Sequence, residues 1–510
     1  MNHRRLAISA AAAALMTAIA ISPALAGDGI ETAADFTPFH RFEPVTASST
    51  CEAAPDPDQP FVLPPGYRQD VIAYEGQGGT ADLWDMNTHN ETGRGSGRYV
   101  YRSHEVGASA QVSVTDLWTG QTEVLAQQAH WERLDGIAWT EWGTILVAEE
   151  TIRQSLPDPQ VPHALGGLLY ELYVDRHDPS ELDPSREHIH DKPGTDVDGD
   201  GTIDTVRDGI RARPAVGAKS HEGIRFDRRD NLYGIAETRG QTTVGQSGGI
   251  FKFVPDHRGD LSRGQLYAFR GPGGASYGPG TWVALDRAAV RVDADAEAEA
   301  KGASQYERPE DVETGQSTGR DANNGGQTVY VAITEGAEAG VLAIDLGARN
   351  EPFAYAYVGP IAGNTPADFT NPDNLALDRR GNLVIAEDPP VNTVGADIWV
   401  AAAPRRGHGH DDDRGRRGNR HARAGDVARF ASLTDCAAEP TGIYFSAENA
   451  TSPRYIWDGS TFVQHGNVRI TRETLFVNVQ HAGATTALDR LVAITPVHHH
   501  GDDDDHEHRD

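Results

Sequence analysis

Glu222, Glu310, Asp373 and Glu439 each stand at the head of a short apolar run. Their settings are Ser220-His221-Glu222-Gly223, Arg308-Pro309-Glu310-Asp311, Asn371-Pro372-Asp373-Asn374 and Glu439-Pro440-Thr441-Gly442. Glutamate is not a turn former, so its recurrence at one kind of position assigns a task to the carboxylate. Carboxylates gathered at one point repel one another unless cations neutralise them, and oxygen donors suit hard metal ions. Metal ligation is therefore the chemistry expected of this set, with hydrogen bonding between neighbouring units as the structural alternative. Asp227, Asp230, Asp378 and Asn382 flank tight turns and read as turn formers instead.

The elements that would position these acids are visible as a repeat. Residues 222–237 and 373–387 share one pattern: acid or amide, apolar strand, a turn rich in Asp, Asn or Gly, and a second strand ending in acid. Looser copies start at Asp82, Asp135, Glu310 and Glu439, and second strands end at Glu149-Glu150 and Glu387, which join the candidate ligands. Two-strand units joined by such turns predict an all-β fold, a six-bladed β-propeller with inserted loops. In a propeller, equivalent positions of every blade converge on the axis, so one acid per repeat becomes a ring of carboxylates.

A second metal motif is local. Asp196, Asp198, Asp200 and Asp204, with Gly201 and Ile203, occupy positions 1, 3, 5, 9, 6 and 8 of an EF-hand-type calcium loop. Position 12 is Arg207 rather than glutamate, and no flanking helices are evident, so this loop is expected to be a structural calcium staple within an insertion.

Residues 1–26 read as an export signal: Arg4 and Arg5, an apolar run from Leu6 to Ile21, then Ala24-Leu25-Ala26 as a cleavage site. Export by Sec or Tat to the periplasm or the medium is expected, with no membrane span after signal removal. Without the two signal arginines the chain carries 43 basic residues against 75 acidic, a net charge of −32. Such a surface repels nucleic acid and anionic lipid, so no nucleic-acid partner is expected. The cysteines, Cys51 and Cys436, are not spaced for zinc or redox chemistry. Either they form a disulfide stapling the N-terminal segment to the last repeat, or they stay free thiols. The domain reading is a segment over 27–60 and a propeller over 61–492, interrupted by the calcium-loop insertion 190–210 and a low-complexity insertion 405–424. A disordered His/Asp-rich tail over 493–510 follows. A monomer is expected.

At the quoted residues, together with Trp142-Gly143-Thr144, Ala386-Glu387-Asp388 and Leu475-Phe476-Val477-Asn478-Val479-Gln480-His481, the chain resembles the PhoX family of secreted bacterial alkaline phosphatases over roughly residues 60–490. The resemblance implies a six-bladed propeller whose axial site holds calcium and iron and hydrolyses phosphate monoesters. It implies metal-ligand roles for Glu222, Glu310 and Asp373, a calcium-side role for Asn374 and a phosphate-binding role for Arg308. His221 would be a proton shuttle or a hydrogen-bond partner to a ligand. By this alignment an iron-ligating cysteine of the family falls on Ala148. Its absence favours an all-oxygen calcium site, with iron as the second candidate metal, and places iron retention in the hands of Ala148. Two rivals share the axial site: a calcium-dependent propeller lactonase or phytase, and a non-catalytic calcium-binding propeller. No G-x-S-x-G elbow, P-loop or dinucleotide-binding glycine pattern points to another enzyme class.

Overall fold

Among the described residues there are twenty-nine short strands, a single α-helix, Ala294–Ala300, and a few short 3-10 turns. The computed structural model describes residues 42–188, 208–237, 248–315, 328–346, 351–388, 393–404, 424–481 and 486–497. The signal segment, the Asp196 to Asp204 loop, residues 405–423 of the low-complexity insertion and residues 498–510 lie outside the described residues, whereas residues 493–496, expected to begin the disordered tail, belong instead to a buried strand, Arg490–Pro496.

The strands form six antiparallel sheets of four to six strands, the blades of a six-bladed β-propeller. The first strands are Trp84–His89, Leu134–Trp139, His221–Phe226, Pro309–Glu313, Pro372–Leu377 and Glu439–Phe445. The first five pair with Tyr99–His104, Ile145–Glu149, Leu232–Ala236, Thr328–Ile333 and Leu383–Glu387. In the sixth blade the partner is Leu475–Gln480. The turns follow the sequence reading. Asp227 Oδ1 accepts from the backbone of Arg229 and Asn231, and Asp378 Oδ1 from that of Arg380 and Asn382, so both are structural.

Six apolar clusters fill the seams between successive blades, which is how strands with two buried faces can be satisfied. The ring closes through chain ends. Tyr67–Tyr74 inserts as the fourth strand of blade six and pairs antiparallel with Arg490–Pro496, so residues from both ends of the fold share one sheet. Phe61–Val62 adds an edge strand to blade five. A disulfide joins Cys51 to Cys436, 385 residues apart, at the junction of blades five and six. Closing so long a loop constrains the unfolded chain strongly. Cys51→Ser with Cys436→Ser is expected to cost about 2–5 kcal/mol in a urea titration, with little change at the axis.

Candidate functional site: a carboxylate well on the propeller axis

Five blades build the same device at the start of their first strand. A β-bulge interrupts the pairing between Trp84 and Asn87, Leu134 and Ile137, His221 and Ile224, Pro309 and Val312, and Pro372 and Leu375. The acid inside each bulge is Asp85, Asp135, Glu222, Glu310 or Asp373. A bulge re-aims a side chain, and here it turns the acid toward the axis. The residue after the second strand donates its N–H to the carbonyl just before the first: Glu105 to Leu83 (2.9 Å), Glu150 to Arg133 (2.8 Å), Glu237 to Ser220 (3.0 Å), Thr334 to Arg308 (2.9 Å) and Asp388 to Asn371 (3.0 Å). Leu83, Arg133, Arg308 and Asn371 adopt left-handed φ of 40° to 56°, a strained conformation repeated at one structural position.

The blades are also stitched to one another. A Cβ on Gly136 would lie 2.1 Å from the Glu222 carbonyl, and one on Gly223 would lie 1.9 Å from Asp311 Oδ1. Only glycine permits those approaches. Asp311 Oδ2 accepts from Leu375 N (2.8 Å), and Asn374 Oδ1 from Gly442 N (2.5 Å).

The well so formed is lined by Asp85, Glu105, Asp135, Glu150, Glu222, Arg308, Glu310, Asp373, Asn374, Asp388, Glu439, Thr441 and Gln480. Glu237 belongs with them: one carboxylate oxygen each of Glu150, Glu222 and Glu237 lies within 4.8 Å of the others. Ten carboxylates thus face one lining cation, Arg308. Desolvation, then mutual repulsion, pushes Asp85, Glu150, Glu222, Glu310 and Asp373 well above the usual carboxylate range. Glu105 rises to about 7 for the same reasons. The Arg308 guanidinium is held by Glu237 (Nε, 3.0 Å), Glu310 (Nε, 2.5 Å) and Asp388 (Nη1, 2.8 Å). Burial works against its charge, but Glu310, Asp373 and Asp388 outweigh it and raise its pKa. At the rim His481 Nε2 lies 3.2 Å from Glu439 Oε1, and that hydrogen bond raises the imidazole to about 9.

Of the residues expected from sequence, Glu150, Glu222, Glu310, Asp373, Asn374, Glu439 and Arg308 come together here. Three others do not. His221 is buried with Nδ1 2.7 Å from Lys219 Nζ and Nε2 2.9 Å from the Gly217 carbonyl. Burial and Lys219 hold it well below the usual histidine value. Its ring is held by these partners and does not line the well. Glu149 accepts from Glu132 N, Leu168 N and Tyr170 Oη, and Glu387 accepts from Thr370 N. Burial lifts them to about 7 and about 8. In each of these tandem pairs the last strand residue supports the blade, and its successor, Glu150 or Asp388, enters the well.

Sequence reasoning did not name Glu105, Asp135, Glu237 or Asp388 as site residues, and it placed the first repeat at Asp82 instead of Asp85. In the structure Asp85 is the second residue of its strand, as Asp135, Glu222, Glu310 and Asp373 are of theirs. Blade six departs from the pattern. Its pairing shifts between Thr441 and Tyr444, so the residue equivalent to the five acids is Gly442, and Glu439 reaches the well from the first residue of the strand. Ala148, where the family cysteine was aligned, packs fully buried in the apolar seam between blades two and three. A thiol there would join that cluster. Ala148→Cys is therefore expected to leave metal content by elemental analysis unchanged, and a rise in retained iron would show that the seam opens to the well.

A propeller whose axis ends in a carboxylate well around one clamped arginine defines this chain as an axial-site β-propeller. The family model described as alkaline phosphatase PhoX matches residues 137–362, the stretch holding Glu150, Glu222, Arg308 and Glu310. That match, with the shared fold, bears out the resemblance to the PhoX family. Among solved structures, Pseudomonas fluorescens PhoX in complex with vanadate, a transition state analogue, shares the fold with TM-score 0.54 at 17% identity, over 89% of this chain and 98% of that one. A gluconolactonase from Xanthomonas campestris aligns with TM-score 0.40 at 12% identity, over 89% of this chain and 100% of that one. No curated protein matches the chain.

Proposed function

We propose that this chain is an exported, metal-dependent phosphomonoesterase acting at the axial well. The observation that carries the reading is the convergence of Glu222, Glu310 and Asp373 from three blades on one point beside Arg308. So many desolvated carboxylates stay ionised together only around cations, and the donor set fits hard ones. The donors are oxygens, and both cysteines are spent in the disulfide. Asp85, Glu150, Glu222, Glu237, Glu310, Asp373 and Glu439 would hold the ions, with calcium the metal this set fits best and iron the second candidate. Bound ions would supply charge neutralisation for a phosphoryl group and an acidified water.

The chain's own residues do the rest. Arg308 is engaged through Nε and Nη1, which leaves Nη2 to reach a phosphoryl oxygen in a preset orientation. Glu237 and Asp388 fix that orientation. Asn374 acts as a tether, its Oδ1 on Gly442 N and its Nδ2 on Asp373 Oδ1. The substrate class is a small-molecule phosphate ester. The Cys51–Cys436 disulfide suits an oxidising compartment, and no helix among the described residues is long and apolar enough to cross a membrane. Elemental analysis of protein purified without chelator, paired with p-nitrophenyl phosphate turnover at alkaline pH before and after EDTA, tests the reading. Turnover that EDTA abolishes and calcium restores is expected. Bound calcium without turnover on any phosphate ester would make the chain a non-catalytic binding propeller.

A further inference from the structure

We propose that Arg102 and Asn478 form a positioning pair that sets Asp85 in the well from behind, across the seam between blades one and six. The proposal rests on the metal-well reading above. Arg102 lies on the second strand of blade one and is 0% exposed. Its Nε donates to Asn478 Oδ1 (3.2 Å) and its Nη1 to Ser113 Oγ (3.4 Å). Its guanidinium lies 3.9 Å from the Trp84 ring centroid, and Nη2 has no hydrogen-bond partner. No carboxylate forms a salt bridge with it among the described residues, and burial lowers it to about 9. An unpaired buried cation is costly, and an apolar side chain of similar volume would stabilise the seam better. Stability alone therefore does not account for an arginine here.

What it does account for is the direction of one amide. A donor at Arg102 Nε obliges Asn478 to present Oδ1, which turns Nδ2 toward the Asp85 carbonyl, and that hydrogen bond is made. The location explains the need. Asp135, Glu222 and Glu310 each have a neighbouring blade's bulge acid on both sides, whereas Asp85 and Asp373 border blade six, where Gly442 replaces the acid. A Cβ at Gly442 would stand 2.1 Å from the Asp85 carbonyl. Asn87 Nδ2 donates to the Gly442 carbonyl (2.6 Å), and Thr441 Oγ1 to that of Trp84 (2.8 Å). The two blades thus meet backbone to backbone at the gap in the ring, and the Asn478 amide is the side chain that grips Asp85 there.

The test is Asn478→Asp, which gives Arg102 an ion-pair partner while removing the N–H that holds Asp85. Arg102→Met is the second variant, near in volume and unable to orient the amide. Calcium titration of EDTA-stripped protein should show affinity falling about 10- to 100-fold in both, the range seen when residues behind metal ligands are lost. Melting of the stripped proteins should not fall, and kcat on p-nitrophenyl phosphate should drop with KM held, because Arg308 is untouched. Calcium affinity and kcat equal to the parent's in both variants would overturn the proposal. So would losses that merely track a lower melting temperature. A parent protein that binds no calcium would overturn the well reading itself, and the pairing with it.

Discussion

Asp373→Asn should lower bound metal and reduce kcat/KM on p-nitrophenyl phosphate at least ~100-fold, since losing a ligand costs no less than losing the residues that support one. The amide keeps the shape of the side chain and removes its charge, so the loss reads the charge. Stability should move in opposite directions with and without cation. In stripped protein Asp373 is opposed by burial and by Asp388, Glu439 and Asp135, so neutralising it relieves repulsion and the melting temperature rises. With calcium the parent gains by mass action and the variant gains less, so the order reverses. Glu222→Gln should behave alike, because Asp135, Glu310, Glu150 and Glu237 oppose its charge in the same way. Full activity with unchanged metal in either variant would remove the axial site from the mechanism.

Arg308→Met separates the clamp from the metals. One arginine at a phosphoryl-transfer centre contributes about 10³- to 10⁵-fold, and a loss of at least ~10³-fold in kcat/KM is expected. Metal content should hold or rise, since the cation that competes for Glu237, Glu310 and Asp388 has gone. Loss of metal together with activity would mean that Arg308 serves to hold the carboxylates in place.

Much of this was legible because two periodicities sit side by side in the chain. Strand pairs with Asp-anchored turns, as at Asp227 and Asp378, repeat at intervals long enough for a blade, and the acids recur at one place in the pattern. Glu222, Glu310 and Asp373 could therefore be placed on a common axis. The direction of individual side chains was less accessible. Glu149 and Glu150 are adjacent acids at a strand end, as are Glu387 and Asp388, and which of each pair turns inward depends on the strand's last hydrogen bond. Asp85 was hidden because its strand, Trp84–His89, is polar and buried on both faces, so apolar alternation did not mark where it begins.

By itself, then, the sequence determined the blade count, the register of four of the five acids and the charge imbalance that calls for cations, because these follow from local pattern and composition. Only the tertiary structure decided which residues share the well. Bulges re-aim side chains by amounts that no periodicity encodes, and contacts such as Asn478 with Asp85 or Tyr67–Tyr74 with Arg490–Pro496 join residues hundreds of positions apart. Gly442 shows the difference most plainly: its sequence marks a flexible residue, and the closed ring sets it where a side chain would collide with the Asp85 carbonyl.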